Sequence, residues 1–420
     1  MLKGQSNAEF GRSAQDTNFG SRIVEMARRL ARFSESSDGL TCTFFSPAHK
    51  ATASQLREWM SSAGLQAEID AMGNVIGRYH GSPAATKSVI VASHYDTVIN
   101  GGQFDGRLGI LTALVVAEYL SDVGRRSPFH LDVVAFSEEE GVRFALPYLG
   151  SRAIAGRFEE AALESRDSNG ILLAHVLGVS GPSTIQALAR PANALAGYLE
   201  VHIEQGPILL EKELPVGVVT SIAGACRFHI TISGIAGHAG TVPMARRHDA
   251  AAAAAEIILA VEKRCGAAST LVGTVGQLVV PGAAINVIPG RCELSLDVRA
   301  ADDTTRDAAV FDIVRSIHEI SARREVATEV KEVARQPAVP CAARLQSAFA
   351  NSVTRMGVEP VYLSSGAGHD AVMFAGLTDI GMLFVRCGNG GISHSPLETV
   401  TEEDADFAAH VLLDTLVSLD

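Results

Sequence analysis

Acidic and imidazole side chains collect in five short clusters, each at the end of a predicted strand or in a loop. Taken singly, each cluster is a weak signal, because a His-x-Asp pair is usually a satisfied polar turn and a run of glutamates usually begins a solvated helix. Together, however, they supply the imidazole and carboxylate ligands that zinc and manganese prefer. The clusters are His94-x-Asp96, GGQFDG at 101–106, EEEG at 138–141, HIEQG at 202–206 and SHSP at 393–396.

One of these clusters suits a pair of metal ions. Two metals about 3.5–4 Å apart are best held by a carboxylate that can offer one oxygen to each. Asp105 stands in a glycine-rich loop, where the backbone can approach a ligand closely. Asp105 is therefore a candidate for a bridging ligand.

The elements that must position these clusters alternate between strands and helices. Buried strands are predicted from short apolar runs that end in polar residues, at 88–92, 130–136 and 198–203. Helices are predicted from apolar residues at helical spacing, at 21–33, 53–63 and 109–120. Reactive groups at the ends of such strands indicate an α/β sheet, with the His94 cluster on a loop after the first strand.

The middle of the chain changes character and predicts a separate domain. Its order of strand, helix, strand, strand, helix and strand is the ferredoxin-like βαββαβ pattern. We therefore expect an α/β, mixed-sheet catalytic domain over 1–217 and 336–420, with the second domain inserted over 218–335. The inserted elements are strands at 226–233, 270–280, 292–299 and 327–333 and helices at 249–263 and 304–323; after them follow helices at 341–356 and 402–419 and strands at 361–363 and 382–385.

Composition excludes several classes of partner. The formal charge of −12 and the absence of Lys and Arg clusters oppose binding to nucleic acid. No run of 18 apolar residues could span a membrane, and residues 1–20 lack the apolar segment of a signal peptide. Six widely spaced cysteines without a C-x-x-C pair are expected to be reduced thiols. We expect a cytoplasmic enzyme whose partners are small molecules or divalent cations.

Nine motifs, in order along the chain, resemble those of the hydantoinase/carbamoylase branch of the M20 metallopeptidase-like amidohydrolases. That branch contains N-carbamoyl-L-amino acid hydrolases, β-ureidopropionases and allantoate amidohydrolases. The resemblance covers about residues 23–416, and nine ordered motifs rarely agree by chance. The motifs are HYDTV, GGQFDG, EEG-x-RF, HIEQGP, G-x-x-GHAGTVPM-x-x-R, N-x-IPG, LDVR, SGAGHDA and SHSPLE.

The resemblance implies two divalent metal ions, zinc or manganese, bridged by Asp105. It implies that Glu139 is the general base, which takes a proton from water and returns it to the leaving nitrogen. Asp96 is expected behind His94, where its carboxylate would accept the other ring N–H. Three consecutive glutamates leave the register open, and the glycine that follows them favours the last two as the working pair. The implied metal ligands are His94, Asp105, Glu140, His202 and His394.

The resemblance also assigns substrate binding, partly to the inserted domain, which in this branch is a lid and dimerisation domain. The planar fork of Arg299 suits a substrate carboxylate, and Asn286 can satisfy an amide or ureido carbonyl. His238 would reach into the site of the partner subunit and polarise the carbonyl, which requires a homodimer. Gln205 and His369 are further candidates. The alternatives are a surface ion pair for Arg299 and a structural role for His369.

The expected function is hydrolysis of a C–N bond in a carboxylated ureido substrate, with release of ammonia. Allantoate and N-carbamoyl-L-amino acids both fit, and the segments GVVTSIAGA, GHAGTVPM and INVIPG favour allantoate slightly. An M20 aminoacylase, dipeptidase or aminopeptidase acting on ordinary amides is the alternative, although that branch generally has a carboxylate where His202 stands. A catalytically inactive binding dimer is a remote alternative, because a decayed site should have lost a ligand or the base.

Overall fold

The computed structural model describes residues 17–419, so most of the segment on which the signal-peptide prediction rests lies outside the described residues. The strands are β1 (Gln66–Ile69), β2 (Val75–Tyr79), β3 (Ser88–His94), β4 (His130–Phe136), β5 (Leu195–Ile203), β6 (Val216–Ile222), β7 (Gly224–Ser233), β8 (Gly237–His238), β9 (Leu271–Thr274), β10 (Leu278–Val279), β11 (Val287–Ile288), β12 (Arg291–Ala300), β13 (Ala327–Gln336), β14 (Val339–Pro340), β15 (Tyr362–Ser365) and β16 (Ile380–Val385).

The helices also follow the alternation that the sequence predicts. The α-helices are α1 (Gly20–Leu30), α2 (Pro47–Ser62), α3 (Arg107–Asp122), α4 (Leu149–Ile154), α5 (Leu173–Leu177), α6 (Ser183–Gln186), α7 (Ile208–Glu211), α8 (Ala250–Cys265), α9 (Asp303–Arg324), α10 (Ala343–Arg355) and α11 (Glu402–Ser418). Short 3-10 helices lie at Glu160–Glu164, Ala192–Ala194, Met244–Arg246, Asp370–Phe374 and Asn389–Gly391. Among the described residues, no helix combines the length and the apolar character needed to cross a membrane.

The chain divides into two compact units. The first unit contains the described chain up to Thr220 together with Cys341–Leu363 and the residues from His369 onward. The second unit contains Ser221–Pro340 and the short segment Ser364–Gly368. The second unit therefore interrupts the first in sequence.

The first unit is built on a mixed sheet with the strand order β1-β2-β4-β3-β5-β16-β6. Strands β4, β3, β5 and β16 are parallel neighbours, and the strands outside them pair antiparallel. Because parallel neighbours run in the same direction, their carboxyl ends lie along one edge of the sheet. This edge is where the polar clusters of the sequence are placed.

Strand β3 shows how the sequence forms this sheet. All seven of its residues, SVIVASH, are buried, as expected for a strand covered on both faces. The prediction that the His94 cluster lies on a loop was wrong for His94, because the strand continues through His94, which pairs with Phe136 of β4, whereas Tyr95 and Asp96 lie beyond the strand. The neighbouring strand supplies hydrogen-bonding partners for two residues beyond the apolar run.

The second unit has the predicted ferredoxin-like topology. Its sheet has the order β10-β12-β7-β13, with β9 also paired to β12, and all of these pairs are antiparallel. Buried residues alternate along β12, and the apolar face packs with α8 and α9 into a separate core. Both helices begin at an aspartate, Asp249 or Asp302, whose carboxylate accepts N–H groups of the first turn.

The single strand predicted at 270–280 is two strands, β9 and β10. Opposite β12, Thr274 faces Asp297 while Leu278 faces Leu294. The chain advances four residues from Thr274 to Leu278, whereas β12 advances only three between Asp297 and Leu294. The extra residue, next to Gly276, interrupts the ladder of hydrogen bonds between the strands. The prediction that the cysteines are reduced is confirmed, because all six are free and buried.

Candidate metal centre

Parallel strands of the first unit bring most of the proposed ligands to one edge of its sheet. Strand β3 ends at His94, β5 carries His202 next to its last residue, and Glu139 and Glu140 follow β4. The remaining two ligands come from loops: Asp105 lies just before α3, and His394 lies between Asn389–Gly391 and α11. The sequence separation is large, but the groups meet within a few ångströms.

The carboxylate of Asp105 lies between two groups of ligand atoms. Its Oδ1 is 3.4 Å from Nε2 of His202 and 3.9 Å from Nε2 of His94, and these two nitrogens are 3.5 Å apart. Its Oδ2 is 3.0 Å from Nε2 of His394, which is 3.5 Å from Oε1 of Glu140. We name the first group M1 (His94, Asp105, His202) and the second M2 (Asp105, Glu140, His394). Each oxygen of Asp105 thus serves a different group.

These separations fit metal ions. Ligand atoms that bind one zinc ion at about 2.0–2.2 Å in tetrahedral geometry stand roughly 3.3–3.6 Å apart. The Oε1 atom of Glu140 is buried and has no hydrogen-bond partner among the described residues, which is costly unless a cation binds it. Both groups are also among the sets of side chains whose ligand atoms lie close enough together to hold a metal. The donor set therefore suits two divalent cations.

The hydrogen bonds of the two buried histidines orient them for metal binding. Nδ1 of His94 is 3.1 Å from the carbonyl oxygen of Asp96, and Nδ1 of His202 is 2.9 Å from the carbonyl oxygen of Ile203. A carbonyl can only accept, so each Nδ1 carries the proton and each Nε2 presents its lone pair to M1. Burial also lowers the pKa of His94 to about 4, which keeps its imidazole neutral.

Electrostatics keep the bridging carboxylate ionised. Although burial opposes ionisation, the hydrogen bond from His394 lowers the pKa of Asp105 below its ordinary value. Metal ligands must be deprotonated to bind, so this environment favours the ligand form of Asp105. Gly106, with a positive φ of 65°, leaves room beside it, because a Cβ there would stand 2.5 Å from the ring of His94.

The structure separates the three consecutive glutamates. Ligand atoms of Glu139 and Glu140 lie within 4.8 Å of each other and of His94. Oε1 of Glu138, in contrast, accepts the main-chain N–H of Arg143 at 3.2 Å. Burial, and then the neighbouring Glu140, raise the pKa of Glu139 well above its ordinary value. Glu139 is therefore a carboxylate that holds a proton more readily than a solvated one.

Asp96 supports the centre in a different way from the one predicted. Its carboxylate was expected to accept the ring N–H of His94, but the closest carboxylate oxygen is 3.7 Å from Nδ1, and the main-chain carbonyl takes the N–H instead. The two carboxylate oxygens accept the main-chain N–H groups of Glu139 and Glu140, at 3.0 and 3.1 Å. The prediction was wrong on this contact, because the main-chain carbonyl of Asp96 lies nearer to Nδ1 than its carboxylate does. Asp96 thus fixes both glutamates and His94.

Gln205 lies at the mouth of the centre. Its amide nitrogen is 3.1 and 3.2 Å from the two oxygens of Asp105 and 3.3 Å from Nε2 of His394. Both Gln205 and His394 have positive φ angles, of 56° and 53°, which are unusual for residues other than glycine. Such conformations persist where the surroundings hold them and are concentrated at functional sites. Gln205 thus contacts two of the proposed metal ligands, Asp105 and His394.

His369 is buried against His202. Its ring meets that of His202 edge to face, with the centroids 4.5 Å apart, and burial lowers its pKa well below the ordinary value. Sequence analysis missed Glu200, a wholly buried carboxylate that accepts hydrogen bonds from Ser93 (3.2 Å) and Tyr198 (2.9 Å). A glutamate inside an apolar strand, two residues before a ligand, was a usable signal, because buried charges need a reason.

The three predicted residues of the inserted unit lie in exposed or half-buried positions. His238 and Asn286 belong to neighbouring segments, since β8 pairs with β11 and the N–H of Ala239 donates to the carbonyl of Asn286. Nδ1 of His238 accepts the N–H of Gly240 at 3.0 Å, so a neutral His238 carries its proton on Nε2. This tautomer can donate a hydrogen bond to an oxygen.

Arg299 lies on the uncovered face of the sheet in the second unit. It donates from Nε and Nη2 to Asp297 at 3.1 and 3.0 Å, and from Nη1 to the carbonyl of Gly366 at 2.9 Å. Asp297 also accepts from Arg227. The ion-pair alternative for Arg299 is therefore realised, but Arg299 also lines a cavity of about 710 Å³, which is within the range that small ligands occupy.

A second missed residue is Glu398, which is 3% exposed and accepts three hydrogen bonds. The motif SHSPLE contains it, but a local motif does not reveal contacts with residues almost 300 positions earlier.

Known proteins resemble this chain along most of its length. The sequence model of peptidase family M20/M25/M40 matches residues 90–418. The chain is 38% identical to a protein of Glycine max named allantoate deiminase 2, over 93% of this chain and 87% of that protein. It is 39% identical to the N-carbamoyl-L-amino acid amidohydrolase of Geobacillus stearothermophilus, over 95% and 98% of the two chains.

A solved structure is similar along nearly the whole chain. It is a hydantoinase/carbamoylase family amidase from Burkholderia multivorans, which superposes with a TM-score of 0.88 and is 31% identical, covering 95% of this chain and 97% of the other. The similarity to this structure therefore covers both compact units and is not confined to the motifs.

Proposed function

We propose that this chain is a metal-dependent amidohydrolase. The premise is that the chain belongs to peptidase family M20/M25/M40 and to its hydantoinase/carbamoylase branch. Its reaction is hydrolysis of a C–N bond in a ureido substrate that also carries a carboxylate. Relatives named for allantoate and for N-carbamoyl-L-amino acids are 38% and 39% identical to it. Both compounds contain a ureido group and a carboxylate, so either fits the proposed reaction.

Two divalent cations, zinc or manganese, are the proposed cofactor, one in M1 and one in M2. When bound, such a pair lowers the pKa of water and polarises a carbonyl. Asp105 would bridge the pair, because its two oxygens face different groups of ligand atoms. His94 and His202 complete M1, while Glu140 and His394 complete M2.

Glu139 is the proposed general base. Its N–H is fixed by Asp96, and its carboxylate lies within 4.8 Å of ligand atoms of His94 and Glu140. A carboxylate with a raised pKa accepts the proton of the attacking water and then gives it to the leaving nitrogen. The cleaved ureido group leaves as carbamate, which decomposes to carbon dioxide and ammonia.

Five residues are proposed to bind substrate. Arg299 would hold the carboxylate, and Asn286 and Gln205 would hydrogen-bond the ureido group. His238 would donate from Nε2 to the developing oxyanion of a partner subunit's site, which makes a homodimer part of the proposal. His369, neutral and packed on His202, is the fifth proposed substrate-binding residue. A cytoplasmic location is proposed as well, supported by the six free thiols.

One observation supports the proposal most directly. The two carboxylate oxygens of Asp105 face different sets of ligand atoms, and Glu139 lies beside these sets. The test is a substrate panel supplied with zinc or manganese, in which ammonia is measured after incubation with allantoate and with N-carbamoyl-L-amino acids. N-acetyl amino acids and dipeptides represent the alternative of ordinary amide hydrolysis. Turnover of the acetyl compounds alone would assign the chain to that alternative, and no turnover of any compound by metal-loaded protein would remove the proposal.

A further inference from the structure

Glu398 is a buried carboxylate that contacts the backbone of Asp105 and the loop that carries His394. It follows His394 by four residues, and only 3% of its surface is exposed. Its Oε1 accepts the main-chain N–H groups of Phe104 at 2.8 Å and of Asp105 at 3.0 Å. Its Oε2 accepts the hydroxyl of Ser393 at 2.8 Å. One side chain therefore holds the backbone of one metal ligand and the residue next to another.

The surrounding chain leaves a fitted space for this carboxylate. A Cβ at Gly102 would stand 2.2 Å from the carboxyl carbon of Glu398, so a larger residue at that position would have to displace this carboxylate. The N–H of Glu398 donates to the carbonyl of Ser395, which closes the 395–398 turn. Burying a carboxylate is costly unless it is hydrogen-bonded, and here three donors satisfy it.

The two metal groups differ in their need for such support. In M1, His94 and His202 belong to paired strands, whose ladders fix their backbones. In M2, His394 lies on a loop, has a positive φ of 53° and exposes 49% of its side chain. A ligand on a loop keeps its place only when other contacts hold that loop, and Glu398 joins this loop to the Asp105 loop.

We propose that Glu398 is a positioning residue for M2, which sets the distance between Asp105 and His394 by tying their two loops together. The inference rests on the proposed two-metal function. Replacement of a residue that orients metal ligands typically weakens metal affinity by about 10–100-fold. Because M1 has two ligands on strands, the loss should fall on one metal ion of the two.

The experiment measures zinc bound per chain by the full-length protein, with the free zinc concentration set by a competing chelator. Wild type is expected to show two binding steps, and Glu398→Ala is expected to keep one of them while the other weakens by about 10–100-fold. Electron paramagnetic resonance of the manganese-loaded protein is the second measurement. At the same concentration of free manganese, the wild type should show a spin-coupled pair of ions and the variant a single ion. Circular dichroism of the metal-free proteins reports whether the variant is folded.

Two conservative variants separate contact geometry from charge. Glu398→Gln keeps an oxygen for the two N–H groups and should restore the second binding step. Glu398→Asp keeps the charge but shortens the side chain by one methylene, so it should fail to restore it. Both remain informative if Glu398→Ala does not fold. Glu403→Ala, on the exposed first turn of α11, is the matched control and should bind two metals.

The outcomes distinguish this inference from the function on which it rests. Wild type that binds fewer than two metals would remove the proposed two-metal function. Wild type with two metals, together with unchanged affinity in Glu398→Ala or restored affinity in Glu398→Asp, would overturn the positioning role alone. Equal weakening of both binding steps would also overturn it, because Glu398 would then support the whole centre rather than M2.

Discussion

The metal centre and the inserted unit differ in how completely the folded chain fixes the residues assigned to them. In the metal centre, His94, Asp105 and His202 are each no more than 3% exposed, and the main chain or buried carboxylates hold them. In the inserted unit, His238 and Asn286 are exposed, and Arg299 is half-buried in an ion pair. Apart from His394, the residues of the first region are buried by folding, whereas those of the second still present polar groups to solvent.

This difference reflects the chemistry proposed for each region. Groups that hold cations must be deprotonated and closely spaced, which costs desolvation that only a stable core can offset. Groups that bind a substrate carboxylate or carbonyl must be accessible before the substrate arrives. The comparison predicts that substitutions in the metal centre act on chemistry or metal content, while those in the inserted unit act on substrate recognition.

The largest effect is expected from Glu139→Gln. The variant should keep both metals yet lose about 10²–10⁴-fold in kcat, the range that general-base catalysis supplies, because an amide cannot take a proton from water. Ammonia release and metal content are measured on the same sample. Glu138→Gln is the matched control, since Glu138 is bonded to the N–H of Arg143, and it should retain turnover. Normal turnover in Glu139→Gln would remove the proposed base.

His238→Ala should lower kcat by about 10²–10³-fold, as loss of an oxyanion donor does, with metal content unchanged. An equal decrease in bound metal would place His238 in the metal centre and break the comparison.

Co-expression with Glu139→Gln tests whether His238 acts across a dimer. A heterodimer would contain one site with both an intact Glu139 and an intact His238. Random pairing of the two chains should then restore about a quarter of wild-type activity. Activity no higher than the sum of the separate variants would confine His238 to its own subunit.

Arg299→Ala should weaken kcat/KM for carboxylated substrates by about 1.5–3 kcal/mol in transition-state terms, the usual value of charge-assisted hydrogen bonds. For a ureido analogue whose carboxylate is replaced by an amide, kcat/KM should change little. Arg291→Ala is the matched control, because Arg291 lies on the same strand and pairs with an acidic residue two positions away, Glu293, as Arg299 pairs with Asp297. Equal losses for both substrates would assign Arg299 a structural role.

The fold class could be predicted because the sequence carries its signals locally. Apolar runs that end in polar residues identified β3, β4 and β5, and the strands predicted at 226–233 and 292–299 correspond to β7 and β12. The break between β9 and β10 was missed, since a one-residue mismatch depends on the partner strand. Strand pairing likewise extended β3 to His94, beyond the apolar residues that predicted it.

The candidate site was predictable at the level of residue type and less so at the level of contacts. Imidazoles and carboxylates at strand ends pointed to the metal centre, but the sequence could not show that the carbonyl of Asp96, rather than its carboxylate, takes the N–H of His94. Glu398 was missed because its partners, Phe104 and Asp105, lie 294 and 293 residues away. Such contacts depend on tertiary packing, which no local pattern encodes.

The smallest effect is expected in the inserted unit when metal is removed. That unit has its own apolar core, and none of the proposed ligands belongs to it. Chelation should therefore accelerate amide hydrogen exchange in the loops around Asp105 and His394, where the bound ions stabilise the folded state, and leave exchange in β7 and β12 unchanged. The measurement is hydrogen exchange followed by mass spectrometry, with and without chelator. Faster exchange throughout β7 and β12 would mean that the two regions fold as one cooperative unit, and the separation between a metal centre built by folding and an independently stable recognition unit would not hold.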